Sequence, residues 1–250
     1  MSETAEYRRF LRADRWEEWE GLETDQRKQL PPPPPQKPPP AKATLIDLVA
    51  PGELAVGQMP LVEAIGQRRS RRQFTPDPLT LEELSFLLWA TQGLSGSQPG
   101  AANLRTVPSA GARHPFETYL QVDRVEGVEP GLYRYLALDH KLCLLHSYEE
   151  RRALIQAAWG DHRTLWGSAV VFFWTAIPYR TEWRYSIIAP KLIALDAGHV
   201  CQNLYLACEA IGAGTCAIAA YNQRQMDALL GVDVEDELVV YLAPVGKVAQ

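Results

Sequence analysis

Four guanidinium groups and one hydroxyl fall within five residues, at Arg68, Arg69, Ser70, Arg71 and Arg72. A guanidinium fork matches the paired oxygens of a phosphate and keeps its charge near neutral pH. So dense a cluster asks for a fixed anion, and a small phosphorylated cofactor suits it. Cations also gather at helix C-termini, where the macrodipole favours them, so helix capping is the competing explanation. The whole chain carries a net charge of -5, which makes the cluster a local device. A nucleic-acid partner would want a broad positive face instead.

Further candidates lie downstream. Pro108, Ser109, Ala110, Gly111 and Ala112 form a small-residue loop. Its backbone N–H groups can approach a planar ligand, although an ordinary turn has the same composition. Thr215 to Tyr221 reads as a strand running into Ala217, Ala219 and Ala220, again open to close approach or simply a packed strand end. Lys247 follows Gly246 at the last strand's end, as a cation able to complete a phosphate site or as a plain surface lysine. His114, beside the small-residue loop, is either a proton donor or a structural histidine. Cys143, Cys201, Cys208 and Cys216 show no metal-ligand spacing with the five histidines, so no metal is expected. Cys201 and Cys208 share a helix face and read as buried free thiols, which points to a reducing, cytoplasmic setting.

The elements that must position these residues follow from periodicity. Pro60 opens a helix with Leu61, Ala64 and Ile65 on its apolar side, ending in the arginine cluster. Thr80 and Glu83 make a capping box for a helix lined by Leu81, Leu84, Leu87 and Leu88, ended by Gly93. Residues 94–107 read as a loop. Phe116 to Val122, Gly131 to Leu136 and Leu142 to His146 read as strands, Glu149 to Trp159 as a helix, and Ala169 to Ile177 as a buried strand. Ile187 to Ile211 has few charges and predicts a long helix for a core or a subunit interface. Ala213 to Ile218 predicts a strand, Gln223 to Leu230 a short helix, and Leu238 to Gly246 a final strand. The sum is an α+β domain with a mostly antiparallel central sheet flanked by helices.

Upstream of Pro60 the character changes. Residues 1–30 are a charged tail whose aromatics are Tyr7, Phe10, Trp16 and Trp19. Pro31 to Pro40 contains eight prolines and predicts an extended strut or a disordered linker, able to recruit SH3-like protein partners or to act as a spacer. Residues 41–59 read as a connecting arm, with the compact domain covering 60–250. No apolar signal segment opens the chain, and the most apolar run, Ala169 to Ile177, is too short to cross a bilayer.

In sequence order, R-R-S-R-R at 68–72, L-T-L-E-E-L-S-F-L-L-W-A-T-Q-G at 79–93 and P-S-A-G-A at 108–112 resemble the FMN-dependent nitroreductase superfamily. G-L-Y-R-Y at 131–135, L-D-A-G-H-V-C-Q-N-L-Y-L-A at 195–207 and A-P-V-G-K at 243–247 continue the match. Within the superfamily, the chain is similar to the SagB-type dehydrogenase branch, which includes thiazoline and oxazoline oxidases. The resemblance covers roughly residues 60–250, and its strength lies in several motifs in register.

That resemblance implies a nitroreductase-like fold and a two-fold homodimer with shared active sites. It implies that Arg68, Arg69, Ser70 and Arg72 hold the FMN phosphate and ribityl chain, with Lys247 closing on the same phosphate. It sets Pro108, Ser109, Ala110, Gly111 and Ala112 against the ring from the neighbouring subunit, and Ala217, Ala219 and Ala220 near ring N5. Two departures stand out. Ala219 replaces a usual glycine, and Arg184-Tyr185 replaces the catalytic Lys-Tyr pair of the azoline oxidases. Arginine is a poor proton acceptor, so Tyr185 is the better acid or base, while Arg184 either serves catalysis or bridges neighbouring groups. Trp183 and Tyr221 are further candidates for the pocket wall. The implied activity is hydride transfer at flavin N5. It would either dehydrogenate a peptide-like or small organic substrate, or reduce a nitro or quinone acceptor with NAD(P)H. The alternative is a flavin-binding interaction protein with little turnover, docking a partner through its tail and proline run.

Overall fold

The computed structural model describes residues 3–96, 104–147 and 167–249. The helix expected at Glu149 to Trp159 lies outside the described residues, as does much of the loop expected at 94–107. Nine strands are described: β1 (Leu45–Asp47), β2 (Leu94–Gly96), β3 (Leu104–Arg105), β4 (Phe116–Val122), β5 (Gly131–Leu136), β6 (Lys141–Ser147), β7 (Val170–Ala176), β8 (Ala213–Thr215) and β9 (Leu238–Lys247). Seven of them form one sheet in the order β1-β6-β5-β4-β7-β9-β8, and every pair in it is antiparallel.

The sheet's centre is the pair β4 and β7. Every residue of both strands is buried, so each face must be covered, and their aromatic and β-branched side chains suit that double burial. Leu120, Phe172 and Trp174 point to one side, where they join the main core. Tyr119, Val171 and Phe173 point to the other and pack with Met226, Leu229 and Leu242. The period of two along each strand divides one sequence between two cores.

Six α-helices are described: α1 (Glu3–Tyr7), α2 (Leu61–Gln67), α3 (Leu81–Gln92), α4 (Tyr179–Tyr185), α5 (Ala189–Ala210) and α6 (Gln223–Leu230). The expected capping box opens α3, with reciprocal Thr80–Glu83 bonds of 3.0 and 3.1 Å. In α5 the buried residues Ile193, Ala197, Val200, Cys201, Leu204, Ala207 and Cys208 form one stripe against the sheet. Leu195, on the opposite side, is 53% exposed. No helix among the described residues is long and apolar enough to cross a membrane. All four cysteines are buried and free.

Residues upstream of Pro60 take part in the fold. The expected connecting arm supplies β1, paired with β6 through Leu45 to Asp47. The proline run is extended and held by buried arginines. Arg180 donates to Pro34 O at 2.9 Å, Arg105 to Pro35 O at 3.0 Å, and Arg134 to Pro38 O at 2.7 Å. Gln36 reaches Asp139 and receives the Leu138 amide, and the Lys37 amide donates to Glu117 at 2.8 Å. A proline-rich chain has carbonyls without matching N–H groups, and guanidiniums supply the missing donors. The run is a strap on the domain.

Candidate functional site

The arginine cluster begins where α2 stops. The Arg68 amide still bonds Ala64 O, and the chain then runs extended along the sheet edge. Ser70 forms a parallel bridge with Thr215, and the Arg71 amide donates to Thr215 O at 2.9 Å. Gly214 permits this approach, because a Cβ there would lie 2.5 Å from Arg71 Cγ. The cluster is thereby set beside the segment Thr215 to Ala217.

Tyr205, on α5, joins the two segments. Arg68 lies over its ring at 5.3 Å, its hydroxyl meets Ser70 Oγ at 3.1 Å, and it accepts the Ala217 amide at 2.9 Å. Glu209, one turn further on, accepts the Arg69 amide. The Arg69 guanidinium turns back onto the carbonyls of Gly66 and Arg68, so for this arginine the capping role is realised. No ion pair engages Arg68, Arg69, Arg71 or Arg72 among the described residues. Arg71 Nε is buried with no hydrogen-bond partner. Buried donors are normally satisfied, and several cations without a counter-charge fit a bound anion. Lys247 differs, since its ammonium is paired with Glu83 and also donates to Ile211 O at 3.0 Å.

Beyond Ala217 the strand is shorter than expected. β8 stops at Thr215, and Ile218 rejoins the sheet through a bridge to Leu242. Ala219 and Ala220 are exposed. Ala219 is absent from the left-handed region, so its Cβ carries no backbone strain in place of the usual glycine. Tyr221 donates its hydroxyl to Val239 O at 2.8 Å and packs with the second core.

The small-residue loop is held elsewhere. Ser109 donates to Asp196 Oδ2 at 2.5 Å, the Ala110 amide bonds both Asp196 oxygens at 3.2 Å, and the His114 amide donates to Ser109 Oγ at 2.9 Å. Gly111, Ala112 and His114 all have positive φ, at 56, 52 and 47°. Tyr185 sits against this turn, because a Cβ on Gly111 would lie 2.6 Å from the Tyr185 hydroxyl oxygen and 3.1 Å from Arg184. The loop and the Arg184-Tyr185 pair therefore meet. Burial raises the Asp196 pKa, opposed by the bonds from Ser109 and Ala110. Burial, reinforced by Arg105 and Arg113, lowers the His114 pKa to about 3. His114 is thus a neutral imidazole at pH 7, unable to serve there as a cationic proton donor.

The tail also reaches this half. Trp19 lies 5.7 Å and Trp16 6.1 Å from Tyr185, ring centre to ring centre. Asp196 and Tyr205, which organise the two halves, stand nine residues apart on α5, about 14 Å along a helix rising 1.5 Å per residue. Sequence reasoning missed Tyr205 and Asp196, and the resemblance left Arg71 out of the phosphate set. Asp196 had left a trace, being a rare acid in an apolar helix.

This sheet and these two clusters define a recognisable class. The chain belongs to the Nitroreductase family, whose model matches residues 65–247. It is 31% identical over 192 residues to a Methanocaldococcus jannaschii protein named as a nitroreductase, covering 77% of this chain and 93% of that one. It is 26% identical to the trifolitoxin-processing protein TfxB of Rhizobium leguminosarum, covering 63% of this chain and 44% of TfxB. Among solved structures, an Anabaena variabilis protein named as a nitroreductase superposes with a TM-score of 0.68 at 23% identity, covering 86% of this chain and 43% of that chain. The E. coli microcin synthetase McbBCD complex with truncated pro-MccB17 bound superposes at 0.61 and 19% identity, covering 84% and 77%. A Desulfovibrio desulfuricans protein in complex with FMN superposes at 0.52 and 18%, covering 77% and 88%. The chain thus spans less than half the length of TfxB and of the Anabaena protein.

Proposed function

We propose that this chain is an FMN-dependent oxidoreductase working as a homodimer. The observation that carries the reading is the set of guanidiniums at Arg68, Arg71 and Arg72 without a carboxylate among the described residues, with Arg71 Nε buried and unpartnered there. Arg68, Ser70, Arg71 and Arg72 would hold the phosphate, and Ala217, Ala219 and Ala220 would lie along the ring. Arg69 and Lys247 carry bonds of their own within the chain and are the weaker members of the set. The FMN complex among the fold's relatives supports this choice of cofactor.

Bound FMN supplies hydride acceptance and donation at N5. The chain's part is to orient and to manage protons. Tyr185 is a hydroxyl held against Gly111 under two indoles, and as a proton donor or acceptor it needs only a substrate atom within about 3 Å. Arg184 stays cationic and contributes charge rather than basicity.

The site's division supports a second copy. In one chain the loop and the arginines lie toward opposite ends of α5. A partner's loop laid over this chain's arginines completes one site and, by symmetry, a second.

Two substrate readings remain within this class. Dehydrogenation of a peptide-like substrate has the likeness to TfxB and to the microcin synthetase in its favour. Reduction of a nitro or quinone acceptor with NAD(P)H has the likeness to proteins named as nitroreductases. Anaerobic mixing with NADPH separates them, since rapid bleaching of the flavin means the reductase. The proline run is held to its own domain through its carbonyls while most of its prolines stay exposed. The alternative reading as a docking protein therefore keeps its surface and is tested by deleting residues 1–40, which should leave catalysis by the compact domain intact. The cofactor assignment is tested by denaturing purified protein and identifying the released flavin. FMN in wild type and a clear loss in Arg72→Ala is the expected result; a colourless wild type, or an unchanged variant, refutes it.

A further inference from the structure

Two guanidiniums and four aromatic rings converge where the N-terminal segment crosses α4. Arg113 donates through Nε to Gly111 O at 3.0 Å, and Arg184 touches the same glycine from α4. Arg113 lies over the Trp183 ring at 5.2 Å and Arg184 over the Tyr185 ring at 5.4 Å. Neither arginine has an ion pair among the described residues. The nearby Asp196 carboxylate is already bonded to Ser109 and Ala110. Burial and then Arg184 lower the Arg113 pKa, as two like charges in one half-buried place require.

Trp16 and Trp19 stand 5.4 Å apart and both lean on Tyr185. Their segment is fastened at several points. Arg27 donates to the carbonyls of Trp19, Glu20 and Leu22 and lies over the Trp19 ring at 4.8 Å. Lys191 holds the Leu11 carbonyl at 2.5 Å, the Gln26 amide bonds Trp183 O at 2.9 Å, and the Trp183 indole donates to Leu30 O at 3.1 Å. The strap at Pro34 to Pro38 anchors the far end. So many bonds fix the segment in place, leaving Trp16 still 42% exposed at its rim.

We propose that Arg113 and Arg184, beside the cluster of Trp16, Trp19 and Tyr185, form a seat for a carboxylate carried on a planar, aromatic substrate. Guanidinium forks pair with carboxylates in two parallel hydrogen bonds. The exposed rim of Trp16 offers an aromatic surface for the body of the molecule. The seat deepens the oxidoreductase reading and rests on it for one point only, that Tyr185 stands at the redox centre. The N-terminal segment is thereby part of the pocket and a determinant of specificity.

The test is calorimetric titration of the full-length protein with benzoate and with benzamide, its neutral counterpart. Benzoate should bind at least tenfold more tightly. Arg113→Gln and Arg184→Gln should each abolish that preference, Arg184→Lys should retain it, and Trp16→Ala should weaken both ligands. Equal affinities, or no binding of either, overturn the seat. So does loss of flavin in Arg184→Gln, which would assign the arginine to the cofactor. Calorimetry reads benzoate with or without flavin, so a colourless protein that prefers benzoate upholds the seat and refutes only the flavin reading.

Discussion

Ser109 gives its hydroxyl hydrogen to Asp196 across 2.5 Å, and this bond fastens the small-residue loop to the long helix α5. The same carboxylate takes the Ala110 amide, and Ser109 Oγ in turn takes the His114 amide. One buried acid therefore fixes Ser109 and Ala110 directly, and His114 through Ser109, in a turn whose backbone sits in the left-handed region at Gly111, Ala112 and His114.

Asp196→Ala should leave the Ser109 hydroxyl and the Ala110 amide without their acceptor. Each unpaired buried donor costs roughly 1–3 kcal/mol. Urea denaturation should show a loss of about that size, and hydrogen exchange should quicken at the amides of Ala110 and His114. Slow exchange in the variant would mean that the turn is held by its own packing.

His114 makes stability depend on pH. Its pKa falls from 6.5 to about 3 on folding, so between those values the unfolded chain binds the extra proton. The native state is then favoured above pH 6.5 and loses ground as pH falls. Between pH 7 and pH 5 the loss from this group is about 2 kcal/mol. Asparagine tolerates the positive φ of 47° at this position. His114→Asn should therefore flatten the acid limb of a stability-against-pH curve while leaving the fold intact. An unchanged limb would assign the dependence to other groups.

Two of the strap's arginines converge on one acid. Glu117 is buried, 2.5 Å from Arg180 and 4.0 Å from Arg134, and it accepts the Lys37 amide. Burial lowers the pKa of the neighbouring Arg105 to about 10, with Glu117 the main opposing influence. Glu117→Gln should leave buried guanidiniums without their counter-charge, at a cost of about 3–5 kcal/mol. Proteolysis just outside the proline run should accelerate in parallel. Destabilisation with a protected strap would show that the guanidiniums, not the acid, hold the prolines.

Much of the fold was legible because it is local. β4, β5 and α6 follow the sequence reading residue for residue, and the capping box placed α3, since period and cap chemistry are written in adjacent residues. Of the site, the arginine cluster was legible as a dense run of like residues, whereas its pairing with Thr215, and Tyr205 as their link, were not. A tyrosine in an apolar helix carries no mark of the two segments it will bridge. The strap was illegible for a related reason. Proline composition gives an extended backbone, but the donors that capture its carbonyls come from Arg105, Arg134 and Arg180, 70 to 146 residues away. Lys247 looked like a free cation only because its partner, Glu83, lies 164 residues off.

The dimer reading has its own test on exposed apolar side chains. Leu61, Val62 and Ile65 on α2 are 65, 77 and 57% exposed, and Leu195 on α5 is 53% exposed. Apolar area removed from water is worth about 25 cal/mol per Å², and charges placed in such a contact oppose it. Sedimentation of the wild type should give twice the chain mass. Ile65→Asp with Leu195→Asp should give one chain mass and lose FMN, because in the proposed site a partner's loop closes over this chain's arginines. A single-chain form that keeps its flavin would instead place the whole cofactor site within one chain.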